Sequence, residues 1–219
     1  MARFLHGQAY MLTRFLLILI TLTAVQIPAY AAESATDSEI CAEAVSIAER
    51  EGRLPLRLLR AVSLAESGRW DEAKRASFAW PWTVTSGGPG QYFPDKASAI
   101  AAVKQMQAQG VRNIDVGCMQ VNLMHHGRAF ATLEEAFDPV HNALYAGAFL
   151  KELRIERRSW SGAVAYYHSA EPTRGNAYSE KVFALWQNEN QREFKAALAA
   201  RQAIYASRAA DRRAVLASR

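Results

Sequence analysis

The chain of 219 residues has little cysteine, and its two cysteines exclude a disulfide-rich scaffold and a four-cysteine zinc site. It also lacks a block of like charges in its first three quarters. Charged residues make up 21% of the chain, with 26 Lys and Arg and 21 Asp and Glu. This charged fraction and the lack of a like-charge block argue against a disordered chain and against a nucleic-acid partner. Apolar residues make up 50% of the chain, enough for one well-filled core. The composition therefore predicts a single folded domain.

The first 31 residues have the pattern of a secretory signal peptide. Two arginines and no acidic residue precede an apolar run at 15–25, and Ala-Tyr-Ala at 29–31 is typical of a cleavage site. The apolar run is shorter than the roughly 18 residues that indicate a membrane span. We therefore expect residues 1–31 to be removed, the protein to be periplasmic, and no membrane span to remain.

Basic charge is concentrated at the C-terminal end. Residues 190–219 contain seven Lys or Arg against two acidic residues, whereas residues 32–189 carry a small acidic excess. A polar run at 187–191 lies between the two regions. The sequence predicts a folded domain over 32–189 and a basic helical tail over 190–219, which suits an acidic partner or wall polymer.

Helical patterns alternate with turn signals along the predicted domain. Apolar residues recur at helical spacing from Ile40 to a stop at Gly52, and a second helix is expected from Pro55 to Gly68. The segment 80–93, around a Ser-Gly-Gly-Pro-Gly turn, is typical of a hairpin and is the only convincing β signal. The chain is therefore predicted to be α+β, mainly helical, with a small β-hairpin. Further helix starts are expected at Asp95, Thr132, Asp138, Ser159 and Asn176.

Glu66 follows an apolar stripe formed by Leu58 and Val62 on the second predicted helix. A carboxylate at the end of an apolar face is costly to bury. One interpretation is a solvated glutamate paired with Arg69. The other is a general acid, because partial burial and the negative end of the helix dipole both raise the pKa of a carboxyl. The position alone leaves both interpretations open.

Three short motifs favour the second interpretation. They are Ala-Glu-Ser-Gly at 65–68, Gly-Cys-Met-Gln-Val-Asn at 117–122 and Ala-Tyr-Tyr-His at 165–168. In order and spacing they resemble the signature motifs of the lytic transglycosylase family, which has a goose-type lysozyme-like fold. The resemblance covers roughly residues 38–187. It is closest to the soluble branch associated with secretion, conjugation and flagellar machines, which Trp-Pro-Trp-Thr at 80–83 also resembles.

The resemblance implies a reaction on peptidoglycan, at the β-1,4 bond between N-acetylmuramic acid and N-acetylglucosamine. Glu66 would protonate the glycosidic oxygen and then take a proton from the substrate's own C6 hydroxyl, which closes a 1,6-anhydro ring. His168 stands where the family has Asn, in a register that keeps Ala163 and Val164 on the core face. The implied substrate-binding residues are Ser67, Met119, Gln120, Asn122, Tyr167 and His168.

The same resemblance brings Cys41, on the first helix, near Cys118 in the second motif. In an exported chain we expect these cysteines to form a disulfide, worth about 4 kcal/mol in the chain-entropy model. An enzyme of this type needs no metal or other cofactor, and we expect a monomer. The histidines have no zinc-like spacing, since His125 and His126 are adjacent and point to different sides.

Two other functions stay open at this point. A muramidase would pair Glu66 with a second carboxylate, from Asp71, Glu72 or Asp115. A non-catalytic wall-binding factor would serve the assembly of an envelope-spanning machine, with the basic tail as its partner-binding element. Aromatic residues that suit either sugar stacking or packing of the small lobe are Trp80, Trp82 and Tyr92.

Overall fold

A computed structural model describes residues 37–217, and the predicted signal segment lies outside the described residues. The described chain is α+β and mainly helical, with two small antiparallel sheets, as the sequence predicts. The helices are α1 (Asp37–Gly52), α2 (Leu58–Ser67), α3 (Lys96–Ala108), α4 (Leu133–Ala136), α5 (Pro139–Arg157), α6 (Trp160–His168) and α7 (Pro172–Ala217). The strands are β1 (Gly68–Asp71), β2 (Ala76–Ala79), β3 (Thr83–Thr85), β4 (Gln91–Tyr92), β5 (Asp115–Val116) and β6 (Val121–Asn122).

Helices α1, α2, α5, α6 and α7 enclose the main apolar core. Leu58 and Leu59 of α2, Leu150 of α5 and Val164 of α6 are fully buried there. Burial of such side chains is the main stabilising contribution, at about 1.5–3 kcal/mol each. Within residues 37–217, no helix combines the length and apolar character needed to cross a membrane.

A smaller core lies under the four-stranded sheet, whose strand order is β4-β3-β5-β6. Val84 of β3, Val103 of α3 and Phe137 pack there. The hairpin predicted at 80–93 corresponds to β3 and β4 and is confirmed. The sequence did not predict the β1–β2 hairpin or strands β5 and β6, because runs of two to four residues are too short to display a strand period.

Four of the predicted helix starts are confirmed by their cap hydrogen bonds. The side chain of Asp95 accepts from the backbone N–H of Ser98, and those of Thr132, Asp138 and Ser159 cap α4, α5 and α6 in the same way. Each cap satisfies backbone donors that the helix itself leaves unpaired.

Helix α2 begins at Leu58 rather than at Pro55, and its N-terminus is capped by another helix. Arg57 adopts a left-handed backbone conformation, and its own side chain makes no cap. The buried carboxylate of Glu49 on α1 instead accepts from the backbone N–H groups of Arg57 at 2.8 Å and Arg60 at 3.1 Å. Because α2 ends next to Glu66, this cap fixes the helix that carries the candidate acid.

The predicted helix start at Asn176 is wrong. Helix α7 begins at Pro172, where the Glu171 carboxylate accepts from the backbone N–H groups of Thr173 and Arg174. It then continues without a break to Ala217, through the polar run that the sequence suggested as a boundary.

That polar run packs against the domain. Glu189 is buried, its carboxylate lies 2.6 Å from Nε of Arg60, and it accepts a 2.9 Å hydrogen bond from Arg192. Asn190 accepts a hydrogen bond from Arg57. The exposed part of the helix therefore begins after these contacts, where Phe194 is 70% exposed.

Candidate active site

A groove of about 1050 Å³ lies between the helical body and the four-stranded sheet. It is lined by the end of α2, by the sheet, and by faces of α5 and α6. Five of the predicted site residues line it: Glu66, Gln120, Asn122, Tyr167 and His168. Ser67 and Met119 are fully buried and lie outside its lining.

Glu66 is the most perturbed carboxyl group in the groove. The pKa of Glu66 is raised from 4.5 to about 7. Burial is the largest cause, the hydrogen bond from Tyr178 opposes it, the negative charge of Asp115 adds to the rise, and the charge of Lys181 lowers the pKa. A carboxyl that keeps its proton near neutral pH is suited to general acid catalysis. Arg69, the alternative partner suggested by the sequence, lies over the ring of Trp80 at 4.5 Å instead.

Tyr178 of α7 is the residue that touches the candidate acid. Its hydroxyl donates a 2.5 Å hydrogen bond to Oε1 of Glu66. Burial and the charge of Glu66 hold the pKa of Tyr178 well above its usual value, so the hydroxyl stays a donor. The sequence did not single out this residue, because it belongs to none of the three motifs and 112 positions separate it from Glu66.

Tyr167, which the resemblance implies as a substrate-binding residue, lines the groove and is hydrogen-bonded to the backbone of the second motif. Its hydroxyl donates to the backbone oxygen of Met119 at 2.8 Å, and burial raises its pKa well above the usual value. Tyr167 and Glu66 both line the groove, and the charge of Glu66 adds to the rise in the pKa of Tyr167. Tyr167 therefore fixes the 117–120 turn, and Tyr178 holds the acid.

His168 lies beside Tyr178. The two rings stack with centroids 4.4 Å apart and planes inclined by 7°. Burial, followed by the charges of Lys181 and Arg174, lowers the pKa of His168, so the imidazole is neutral at pH 7. His168 thus packs against the tyrosine that donates a hydrogen bond to the candidate acid.

The turn at 117–120 depends on Gly117. Its φ is +82°, and an added Cβ would lie 2.7 Å from Nδ2 of Asn142. Buried Asn142 donates to the backbone oxygens of Val116 and Ala136 and accepts from the N–H of Met119 at 2.9 Å. A side chain at Gly117 would break this network, since no other residue type has both the conformational freedom and the small size.

The side-chain amides of Gln120 and Asn122 are bound to the sheet. Nε2 of Gln120 donates to the backbone oxygens of Thr83 and Gly117, and Oε1 accepts from Thr85. Nδ2 of Asn122 donates to Asp115 at 2.8 Å. Both residues therefore shape the groove wall as well as line it.

Ser67 and Met119 are buried next to the groove lining rather than in it. The hydroxyl of Ser67 donates to the backbone oxygen of Cys118 at 2.7 Å, which ties α2 to the second motif. The Met119 side chain belongs to the main core. The resemblance implies that both contact the substrate, but both side chains are fully buried and lie outside the groove lining. Cys41 and Cys118 form the disulfide that the sequence predicts, with Cα atoms 5.6 Å apart.

Of the three suggested second carboxylates, Asp115 lines the groove. Burial raises its pKa, and the hydrogen bond from Asn122 opposes that change. Asp71 and Glu72 lie on the β1–β2 hairpin outside the groove lining, where Asp71 accepts from the backbone N–H of Lys74 and Glu72 accepts from the indole of Trp70.

Among residues 37–217, no group of three or more His, Cys, Asp or Glu side chains is arranged to hold a metal ion. Comparisons of the chain with protein-family models, with curated proteins and with solved structures found no match.

Proposed function

We propose that the protein is a periplasmic lytic transglycosylase that cleaves the glycan strands of peptidoglycan at Glu66. The observation that carries the proposal is the position of Glu66, which lines the groove at the end of α2 and is hydrogen-bonded to Tyr178. Its surroundings raise the pKa of this carboxyl to about 7. At pH 7 about half of such carboxyl groups carry the proton that a glycosidic oxygen needs.

The reaction balances with one carboxyl group. Glu66 gives its proton to the glycosidic oxygen as the bond from that oxygen to C1 of the muramyl residue breaks. The resulting carboxylate takes the proton of the C6 hydroxyl as O6 bonds to C1, which restores Glu66 and leaves a 1,6-anhydro end. An intramolecular hydroxyl held near C1 has a high effective concentration, so it competes with water.

Tyr178 supports both steps by holding the carboxyl in one orientation. Its hydrogen bond to Oε1 leaves the other carboxyl oxygen of Glu66 available to the substrate. The hydroxyl also stabilises the carboxylate that forms after the first proton transfer, because hydrogen bonds to ionised acceptors are stronger.

A muramidase remains a second candidate because Asp115 lines the same groove. A retaining hydrolase would use Asp115 as nucleophile, and an inverting one would use it to activate water. Under the transglycosylase mechanism, Asp115 instead raises the pKa of Glu66 by its negative charge.

The products distinguish the two candidates. We expect mass analysis of fragments released from purified cell walls to find anhydro-muramic ends, one water lighter than hydrolysed ends. We also expect Asp115→Asn to keep most activity and to move the alkaline limb of the pH profile downward, because the charge that raises the pKa of Glu66 is gone. Asp71→Asn and Glu72→Gln are matched controls, because both carboxylates lie outside the groove lining. Reducing-end muramic acid from the wild type, with activity lost in Asp115→Asn alone, would establish the muramidase.

A further inference from the structure

A second cleft, of about 890 Å³, adjoins the groove at Ala65 and Glu66, which line both cavities. Its other walls come from the β1–β2 hairpin, from Tyr92 on β4 and from one side of α7. The groove thus has a branch that begins at the candidate acid.

The charge of this branch differs from that of the groove. Among the described residues that line the groove, Arg174 is the only Lys or Arg, and the acidic residues there are Glu66 and Asp115. The branch has five cationic side chains, and we call it the basic cleft. Besides Glu66, its lining contains one acidic residue, Glu189, which forms ion pairs with Arg60 and Arg192. The five cations are Lys74, Arg75, Lys181, Arg192 and Lys195.

The cations of the basic cleft differ in the partners that they have. Lys181 donates to the backbone oxygen of Ala65 at 3.0 Å, and Arg192 binds Glu189. Arg75 and Lys195 are exposed at opposite walls of the cleft, on the hairpin turn and on α7, and neither forms an ion pair within residues 37–217. Such side chains are available to an anionic ligand.

We propose that the basic cleft binds the carboxylates of the stem peptide attached to the glycan strand. This inference rests on the proposed function. Where a stem peptide is attached, the lactyl carboxyl of the muramyl residue is amidated and both sugars are neutral, so the anionic groups of such a strand are the carboxylates of its peptides. Glycan stripped of its peptides instead carries one lactyl carboxylate on each muramyl ring, so a loss confined to the peptide-bearing glycan identifies the peptide carboxylates as the ligand. Each peptide is joined to a muramyl residue, which places it next to the bond that Glu66 cleaves. A fully extended peptide of four residues reaches about 13 Å, so it extends away from the acid along a branch.

The proposal gives the start of the basic tail a role in substrate selection. Lys195 and Arg192 belong to the segment that the sequence assigned to a separate partner-binding element. In the structure they complete the wall of a cleft that begins at Glu66. The protein therefore prefers glycan that still carries peptides over glycan from which an amidase has removed them.

The test compares two variants on two substrates of equal glycan length, one with stem peptides and one without. Arg75→Gln with Lys195→Gln removes two charges from the cleft. Arg53→Gln with Arg128→Gln is the matched control, because both arginines are exposed, both lie outside the two cavities, and Arg53 shares the positive φ of Arg75. We expect kcat/KM of the cleft variant to fall about fivefold on the peptide-bearing glycan at low salt, as for exposed ion pairs, and to stay unchanged on bare glycan.

The control should match the wild type on both substrates, and the difference should shrink in high salt because exposed charges are screened. An equal loss on both substrates, or no loss on either, would overturn the inference while leaving the transglycosylase intact. If the wild type cleaves neither substrate, the proposed function is wrong. In that case the affinity for the disaccharide-tetrapeptide is measured for Glu66→Gln alone and for Glu66→Gln combined with Arg75→Gln and Lys195→Gln. Equal affinities would contradict the proposed role of the basic cleft.

Discussion

Replacement of Glu66 by Gln tests the candidate acid through the rate of glycan cleavage and through the pH dependence of the free energy of unfolding. The amide keeps the shape of the carboxyl and still accepts the hydrogen bond from Tyr178, but it has no proton to deliver. General acid catalysis contributes about 10²–10⁴-fold to a rate, so we expect at least a hundredfold loss of cleavage. Binding of glycan fragments should persist, because the groove is otherwise unchanged.

The same substitution should stabilise the protein in a pH-dependent way. Burial raises the pKa of Glu66 from 4.5 to about 7, so below pH 4.5 both the folded and the unfolded protein hold the proton and the variant gains nothing. Between pH 4.5 and 7 the unfolded state ionises while the folded state keeps its proton, so the wild type loses stability as the pH rises. At 1.36 kcal/mol per pH unit the loss reaches about 3 kcal/mol above pH 7. Gln has no such loss.

The assay is urea unfolding of both proteins at pH 4 and pH 8, beside glycan cleavage. We expect Glu66→Gln to be about as stable as the wild type at pH 4 and about 3 kcal/mol more stable at pH 8. Asp71→Asn is the comparison for the loss of a carboxylate outside the groove lining. A stability gain that is equal at the two pH values would refute the buried, protonated carboxyl, and retention of more than about a tenth of the activity would refute its role as the acid.

Three further predictions concern Tyr178, the disulfide and the C-terminal helix. Tyr178→Phe removes the hydrogen bond that lowers the pKa of Glu66, so the alkaline limb of the pH profile of cleavage should move to higher pH. The free energy of unfolding should fall by about 1 kcal/mol, and an alkaline limb that does not move would contradict the hydrogen bond. Replacement of both Cys41 and Cys118 by Ala should lower the free energy of unfolding in urea by about 4 kcal/mol. Thiol counting of the denatured, unreduced wild type should find no free thiol, and two free thiols would exclude the disulfide. Truncation after Ala197 should leave folding and cleavage of soluble fragments intact while weakening retention on whole walls at low salt. Truncation after Gln187 should destabilise the protein by about 1–3 kcal/mol, because Arg60 loses Glu189; equal stability of the two truncated proteins would show that this ion pair is dispensable.

Local patterns in the sequence identified most of the helices. A helix cap acts within one turn, so Asp95, Thr132, Asp138 and Ser159 were recognisable without knowledge of the fold. The pattern failed at Asn176, because Glu171 supplies an earlier cap, and at the polar run 187–191. Polarity there was mistaken for a boundary, since the sequence does not reveal that Glu189 faces two arginines.

The motifs identified Glu66 and its neighbours, but only the tertiary structure shows which of these side chains line the groove and which are buried. Ser67 and Met119 belong to motifs and lie behind the groove, whereas Tyr178 belongs to none and bonds the acid. Of three equally plausible second carboxylates, Asp115 alone lines the groove, because β3 and β6 flank β5 there.

The sequence by itself determined the helical periods, the caps, the glutamate at the end of an apolar stripe and the presence of two cysteines for one bond. These features depend on residues that are close along the chain or on residue type alone. The tertiary structure decided which hydroxyl holds Glu66, what raises its pKa, and which cations of α7 meet the β1–β2 hairpin to form the basic cleft. Such contacts join side chains from distant helices and strands, so they exist only after the helices and the sheet pack against each other.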